Sequence, residues 1–328
     1  MKKIFINHPA GDNGGPAVFV KKLSQGLRSY SIQLDFSDKR NLDAALLMIR
    51  SNGLISHFKQ RNIQVAGRTS GFYIPPYWHS KTADRMMTGD KIAHNKSLAV
   101  DLKQYDHMIY QSQWSKDMCD QYLTPRFNDF SIIHNGVDLN HFKPIEKQSE
   151  RIRLLVLGNL RHAYTAVIPI FIYQQLKNDF DLELQFVGKI DTACQQILNQ
   201  HKSDLTISYK GPTNHSQLPP IFQQADILIH PRQGDTCPNV VSEALACGIP
   251  VVTAEWGGAH ELLGKGGVTV TESVNWEYSE EYKENFVAQT CKVLENLNQY
   301  KEEARSQAET NLSLDKMVKG YLKALKLD

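Results

Sequence analysis

Gly234-Asp235-Thr236-Cys237-Pro238-Asn239-Val240-Val241-Ser242-Glu243-Ala244-Leu245-Ala246-Cys247-Gly248-Ile249-Pro250-Val251-Val252 reads from left to right as a loop, a helix, a stop and a strand. Pro238 suits the first turn of a helix, where a missing N–H breaks no hydrogen bond. Gly248 supplies the left-handed residue that ends one. The apolar runs on either side, Ile227–His230 and Ile249–Thr253, are too short for helices and have the composition of strands. Strand, loop, helix, strand is a βαβ unit, and parallel strands joined this way need helices on both faces of their sheet.

The same alternation extends outward. Strand-like runs at Leu154–Leu157, Leu182–Val187, Leu205–Tyr209 and Val268–Val270 are separated by helical patterns, which predicts a doubly wound parallel sheet. Gly158, Gly188, Gly211 and Pro231 close several of these runs. Ligands of such sheets bind outside the carboxyl ends of the strands, so these residues mark the rim of a candidate site. In the first half, Lys3–Asn7 precedes a glycine-containing loop, and Pro16 opens an apolar-periodic segment through Ala17, Val20, Leu23 and Leu27. Further strand candidates are Ile63–Gly67, His107–Gln111 and Ser131–His134, with a helical pattern at Trp114 to Tyr122. Pro75-Pro76-Tyr77-Trp78 is read as a rigid exposed loop, and Lys143-Pro144 with the charged run Glu146 to Arg151 as a linker.

At 328 residues the chain exceeds the size at which one core keeps growing, so two domains are expected, about 1–145 and 146–305, with 306–328 as a C-terminal helical segment. Hydrophobic residues make up 41% and charged residues 22%, values of an ordinary folded protein. Charge is uneven along the chain. Residues 1–145 carry 19 Lys and Arg against 12 Asp and no Glu, a net +7, which leaves 18 against 23, a net −5, for the remainder. The first half is therefore expected to face something anionic, or to be an ordinary solvated surface. No Lys/Arg block is dense enough for a nucleic-acid footprint. The five cysteines are scattered without a C-x-x-C spacing, as reduced cytosolic thiols would be. Met1 to Asn7 lacks the apolar core and cleavage site of a signal peptide. No stretch reaches the ~18 to 20 apolar residues of a membrane span.

Asp235 and Glu243 lie eight apart, one before the helix and one inside it. A carboxylate in that place can accept both hydroxyls of a ribose, while the amides at the helix start attract a diphosphate. Taken as a lone pair of carboxylates, they read first as the surface charges of an ordinary βαβ helix.

The flanking residues settle that choice. The segment resembles the signature of the retaining glycosyltransferases of family 4: Glu, seven residues, Glu, then Ala-Leu-Ala-x-Gly-x-Pro-Val-Val. Gly257-Gly258-Ala259-His260-Glu261 is similar to the family's Gly-Gly-x-x-Glu. His134-Asn135-Gly136-Val137-Asp138 with Phe142 and Pro144 is similar to its interdomain Asn-Gly-Val-Asp-x-x-x-Phe-x-Pro. Ala225-Asp226 before the strand ending at Pro231, and Gly14-Gly15 after the first strand, fall in register.

The resemblance implies a GT-B fold: two Rossmann-like α/β domains facing across a cleft, with the last helix, from about Ser313, packing back on the N-terminal domain. It implies transfer of a sugar from a UDP- or GDP-linked donor to a hydroxyl acceptor with retention, in surface glycan or glycolipid assembly. Glu243 would bind the ribose hydroxyls and Asp235, where the family has Glu, the donor sugar. The amides of Asn239 and Val240 would meet the diphosphate, beside the Gly158 loop. Gly14 and Gly15 would let the first loop approach phosphate or sugar, or form a plain tight turn. Fixed positive charge would replace a divalent ion at the diphosphate, so no metal or other cofactor is expected.

One departure concerns charge. Where the family has Gly-Arg and then Lys, this chain has Asn159 and Tyr164. Arg161, two residues along, or Arg232, where the family tends to have Ser, is the candidate replacement cation; either is otherwise a surface charge. The missing basic pair keeps open a catalytically inactive nucleotide-sugar-binding subunit as the alternative. The implied partners are the nucleotide sugar, a glycan or lipid-linked acceptor and an anionic membrane touched peripherally, with no nucleic acid, and the implied location is the cytoplasm.

Arg68-Thr69-Ser70-Gly71 and Gln111-Ser112-Gln113-Trp114-Ser115-Lys116 are read as scaffold. His8, His57 and His79 are possible donors to the sugar or structural histidines. Tyr73, Tyr77 and Trp78 would stack on an acceptor or simply pack their loop.

Overall fold

The structure, a computed structural model, describes residues 1–12, 14–37, 40–69, 71–74, 88–146, 150–271 and 278–328. The expected loop Pro75–Trp78, together with Ser70 and His79, lies outside the described residues, as do three residues of the expected linker, 147–149. The chain forms two units, one of residues 1–136 with 314–328 and one of residues 137–313.

The first unit is a six-stranded parallel sheet of β1 (Lys2–Ile6), β2 (Ile32–Asp35), β3 (Ala44–Met48), β4 (Gln64–Arg68), β5 (His107–Tyr110) and β6 (Phe130–Ile132). Its order is β2-β1-β3-β4-β5-β6, with Ile4 opposite Ala44 and Ala66 opposite His107. Helices α1 (Gly15–Leu27), α2 (Leu54–Lys59), α3 (Gly89–Leu102) and α4 (Gln113–Tyr122) connect the strands. β3 is buried along its whole length, as a central parallel strand covered on both faces must be. The C-terminal helix Leu314–Ala324 belongs to this unit and puts Met317, Val318, Tyr321 and Leu322 into its core. It lies so close to α1 that a Cβ on Gly26 would come within 2.5 Å of Val318 Cγ2. Phe19 of α1 meets the Tyr321 ring at 5.3 Å between centroids, and burying a side chain of that size stabilises the fold by about 1.5–3 kcal/mol.

The second unit repeats the plan with β7 (Ile152–Leu157), β8 (Leu182–Val187), β9 (Ile207–Tyr209), β10 (Ile227–His230), β11 (Val251–Ala254) and β12 (Gly267–Val270). All pair in parallel in the order β9-β8-β7-β10-β11-β12. Helices α5 (Tyr164–Leu176), α6 (Thr192–Gln200), α7 (Leu218–Gln223), α8 (Asn239–Ala246), α9 (Glu280–Glu295) and α10 (Leu297–Asn311) cover the two faces. The chain reverses direction across the sheet between β7 and β10, the place where doubly wound sheets open a crevice for ligands. Leu205, read in sequence as strand, is 94% exposed and precedes β9.

Candidate functional site

Gly158 follows β7 with φ +133, and its amide donates to Val187 O at 3.0 Å. Gly188 at the end of β8 lies directly against it: a Cβ there would sit 1.9 Å from Gly158 O. This contact brings the β7 and β8 loops together. Leu160 N donates to Lys189 O and Asp191 N to Leu160 O, at 2.8 and 3.0 Å. Arg161 stands exposed on the rim so formed. Tyr164, in the place of the expected Lys, is 5% exposed, and its hydroxyl accepts from Gln233 N at 3.4 Å. It therefore ties the β7 loop to the β10 loop.

Across the switch, β10 ends at His230 and leads through Arg232 to Asp235. His230 is buried, and burial pulls its pKa down to about 4, opposed by the charge of Asp235 and aided by Arg232. It is a neutral imidazole at neutral pH. Arg232 Nε and Asp235 Oδ2 are 3.8 Å apart, both partly exposed, an ion pair without a close hydrogen bond. Asp235 Oδ1 accepts from Cys237 N at 3.3 Å. The backbone here is held by the glycine pair of the next motif: Gly234 N donates to Trp256 O at 2.8 Å and Gly258 N to Asp235 O at 2.7 Å. A Cβ on Gly257, φ +139, would meet Asp235 O at 3.2 Å. Two motifs that the sequence separates by some twenty residues thus form one loop assembly.

α8 starts at Asn239 with Pro238 as its N-cap. The amides of Asn239 and Val240 lie in its first turn, ahead of the intrahelical ladder, where the helix dipole favours an anion. One turn further, Glu243 is completely buried. Its Oε1 pairs with His215 Nε2 at 2.8 Å. The reading of Glu243 as a surface-helix carboxylate is corrected here: it belongs to the core as well as to the candidate site. Burial, aided by the negative charge of Glu243, pushes the Cys247 thiol up to about 12.

His215, on a short 3-10 turn, is the residue that sequence reading missed. Phe142, fully buried, stands 5.6 Å from its ring between centroids. No local pattern marks His215, because its partner is 28 residues away.

Gly14 and Gly15 belong to the first unit, at the turn from β1 into α1. Gly14 has φ +84, and a Cβ on either would meet nothing within 4 Å. Conformation requires glycine at Gly14, and the space over the pair is open. Also in this unit, buried Arg68 donates to Gln111 Oε1, Asn135 Oδ1 and the Tyr321 hydroxyl at 2.8–3.0 Å and lies over the Phe19 ring. Tyr73 packs edge-on against His94, while His57 is exposed and His8 is half-buried.

With this geometry in place, comparison with known proteins identifies the segment that carries it. Residues 141–296 match glycosyl transferases group 1. The matched segment contains Gly158, Arg161, Arg232, Asp235, Asn239, Val240 and Glu243. The chain is 25% identical over 295 residues to the GPI3 subunit of phosphatidylinositol N-acetylglucosaminyltransferase from Saccharomyces cerevisiae, an alignment that takes in 79% of this chain and 62% of that one. It spans 38–62% of the length of the first curated relatives it matches. Among solved structures, sucrose-phosphate synthase from Thermosynechococcus elongatus superposes with TM-score 0.79 at 12% identity, covering 99% of this chain and 98% of the other. Anabaena HepE, in complex with UDP-glucose, superposes with TM-score 0.70 at 15% identity over 99% and 100%. The fold is GT-B, built from two Rossmann-like units.

Proposed function

We propose that this protein transfers a sugar from a nucleotide-diphosphate donor, UDP- or GDP-linked, to an acceptor hydroxyl with retention of anomeric configuration. The observation that carries this is the crevice edge between β7 and β10, where the first turn of α8, Asp235 and the anchored Glu243 lie on consecutive turns of chain. Glu243, fixed by His215, accepts the ribose hydroxyls. The amides of Asn239 and Val240 receive the diphosphate, and Asp235 binds hydroxyls of the sugar. Arg161 or Arg232 stabilises the departing charge, a role that needs neither a metal nor another cofactor. The bond from the anomeric carbon to the diphosphate oxygen breaks, and the acceptor oxygen bonds that carbon on the same face. The acceptor's proton passes to the leaving diphosphate.

UDP-glucose in HepE and the phosphatidylinositol in the name of the yeast relative favour a sugar nucleotide as donor and a phosphate-bearing acceptor in glycolipid or surface glycan assembly. The cytoplasmic side of an anionic membrane, touched through the basic first unit, suits such an acceptor; no helix among the described residues is long and apolar enough to cross it. The test is a thermal-shift panel of UDP- and GDP-sugars followed by donor turnover with the best binder. Stabilisation by none of them would sink the proposal. Tyr164, buried where a cation was expected, favours a second reading, a donor-binding subunit without catalysis. Tight donor binding with no turnover on any acceptor would select it.

A further inference from the structure

The first unit has its own reversal of strand order, between β1 and β3, and the residues there make an arrangement that the donor chemistry does not use. Asn7, just past β1, donates from Nδ2 to Met48 O and Arg50 O at 3.1 and 2.9 Å and accepts from Met48 N at 2.8 Å. The backbone is thereby clamped on both sides of Ile49, which has φ +64, a conformation β-branched residues rarely adopt. Ser51 is fixed next, its amide and hydroxyl donating to the two carboxylate oxygens of Asp101 at 2.9 and 2.8 Å.

Between these anchors stands Arg50. Its side chain is exposed, and its Nε donates to His94 Nδ1 at 2.9 Å. His94 Nε2 in turn donates to Gly71 O at 2.7 Å. An imidazole that accepts on one nitrogen and donates on the other is the neutral form. Arg50 is thus oriented by a neutral acceptor, and among the described residues no carboxylate pairs with it. A guanidinium tied to a carboxylate is a neutralised pair. One held by a neutral nitrogen through Nε keeps its charge, and its two terminal nitrogens stay available for bidentate contact with an oxyanion. The carboxyl-end position at the reversal of the sheet is where this fold binds ligands.

We propose that Arg50, held by His94, is an oxyanion-binding site that takes a phosphate group. The assignment of that phosphate to the acceptor rests on the glycosyl-transfer reading; the site itself does not. The phosphate can belong to a lipid headgroup or to a soluble phosphorylated acceptor.

Calorimetric titration with inorganic phosphate, and sedimentation with phosphatidylinositol-containing against phosphatidylcholine vesicles, test it on the full chain and on Arg50→Gln and Arg50→Lys. Loss of a bidentate charge-assisted contact weakens phosphate binding by about tenfold or more in Arg50→Gln. A smaller loss is expected in Arg50→Lys, which keeps the charge without the fork. Melting temperature and nucleotide-sugar affinity stay at their wild-type values. Arg50-dependent sedimentation with phosphatidylinositol vesicles assigns the phosphate to a headgroup; Arg50-dependent phosphate binding without sedimentation assigns it to a soluble acceptor. Equal phosphate affinity in wild type and Arg50→Gln overturns the site, as does a parallel fall in donor affinity. Arg50-dependent phosphate binding by a protein that binds no sugar nucleotide would retain this site and remove the transferase reading.

Discussion

Glu243→Ala separates the two roles that the structure gives this carboxylate. Glu243 is completely buried and holds His215 Nε2 at 2.8 Å. Truncation leaves that ring nitrogen facing a void and removes four heavy atoms from a packed region. A buried polar group that loses its partner costs about 1–3 kcal/mol, and the cavity brings the total to about 2–4 kcal/mol. For a unit of this size that lowers Tm by roughly 5–15 °C. The two ribose hydrogen bonds to a charged acceptor are worth about 1.5–3 kcal/mol each, so donor affinity falls about 100-fold or more. Glu243→Gln retains an acceptor for His215 at nearly the same volume. It is expected to melt within a few degrees of wild type while still binding donor poorly. Thermal melts and calorimetric titration with the best nucleotide sugar read both quantities on the same samples. An alanine variant that melts like wild type would refute the core role. Wild-type donor affinity in both variants would refute the ribose role.

Arg161→Ala is expected to lower kcat for donor cleavage by about tenfold or more with little change in donor Kd, because charge on the leaving group grows in the transition state; single-turnover rates and titrations check it, and an unchanged rate beside a slow Arg232→Ala assigns the role to Arg232. Gly188→Ala places a methyl 1.9 Å from Gly158 O at a φ of +127, so the variant is expected to lose several degrees of Tm or fail to accumulate as folded protein, whereas wild-type melting would mean the two loops separate easily. His230 has its folded pKa depressed to about 4 from 6.5, so the unfolded chain takes up a proton first as pH falls. Its stabilising contribution is full above the unfolded value and is lost between about pH 6.5 and 4, amounting to about 2 kcal/mol between pH 7 and 5. Urea midpoints at those two pH values should converge in His230→Leu relative to wild type, and an equal pH response in both proteins would place the titration elsewhere.

Much of this was legible locally. β8 and β10 were read with their observed ends, Leu182–Val187 and Ile227–His230, because an apolar run closed by glycine or proline needs nothing beyond its own residues to declare a strand. α8 was legible for the same reason: Pro238 and Gly248 bracket it. β2 and β3 were not singled out. The sequence of β3, Ala-Ala-Leu-Leu-Met, is made of good helix formers, and it is a strand because it lies between β1 and β4 in the middle of a sheet, where burial outweighs local preference.

The amino-acid sequence by itself determined the fold class, the positions of the motif residues and the chemistry available at each. Tertiary structure decided which of them meet. It set the strand order that places the β7 and β10 loops side by side, and it turned Tyr164 from the seat of a missing cation into a buried link to Gln233. It locked the Gly257-Gly258 turn onto Asp235 and brought His215 to Glu243 and His94 to Arg50 across 28 and 44 residues. Periodicity and punctuation report contacts within a few residues of chain; a hydrogen bond between side chains so far apart depends on how the sheets are ordered, and only the folded chain fixes that.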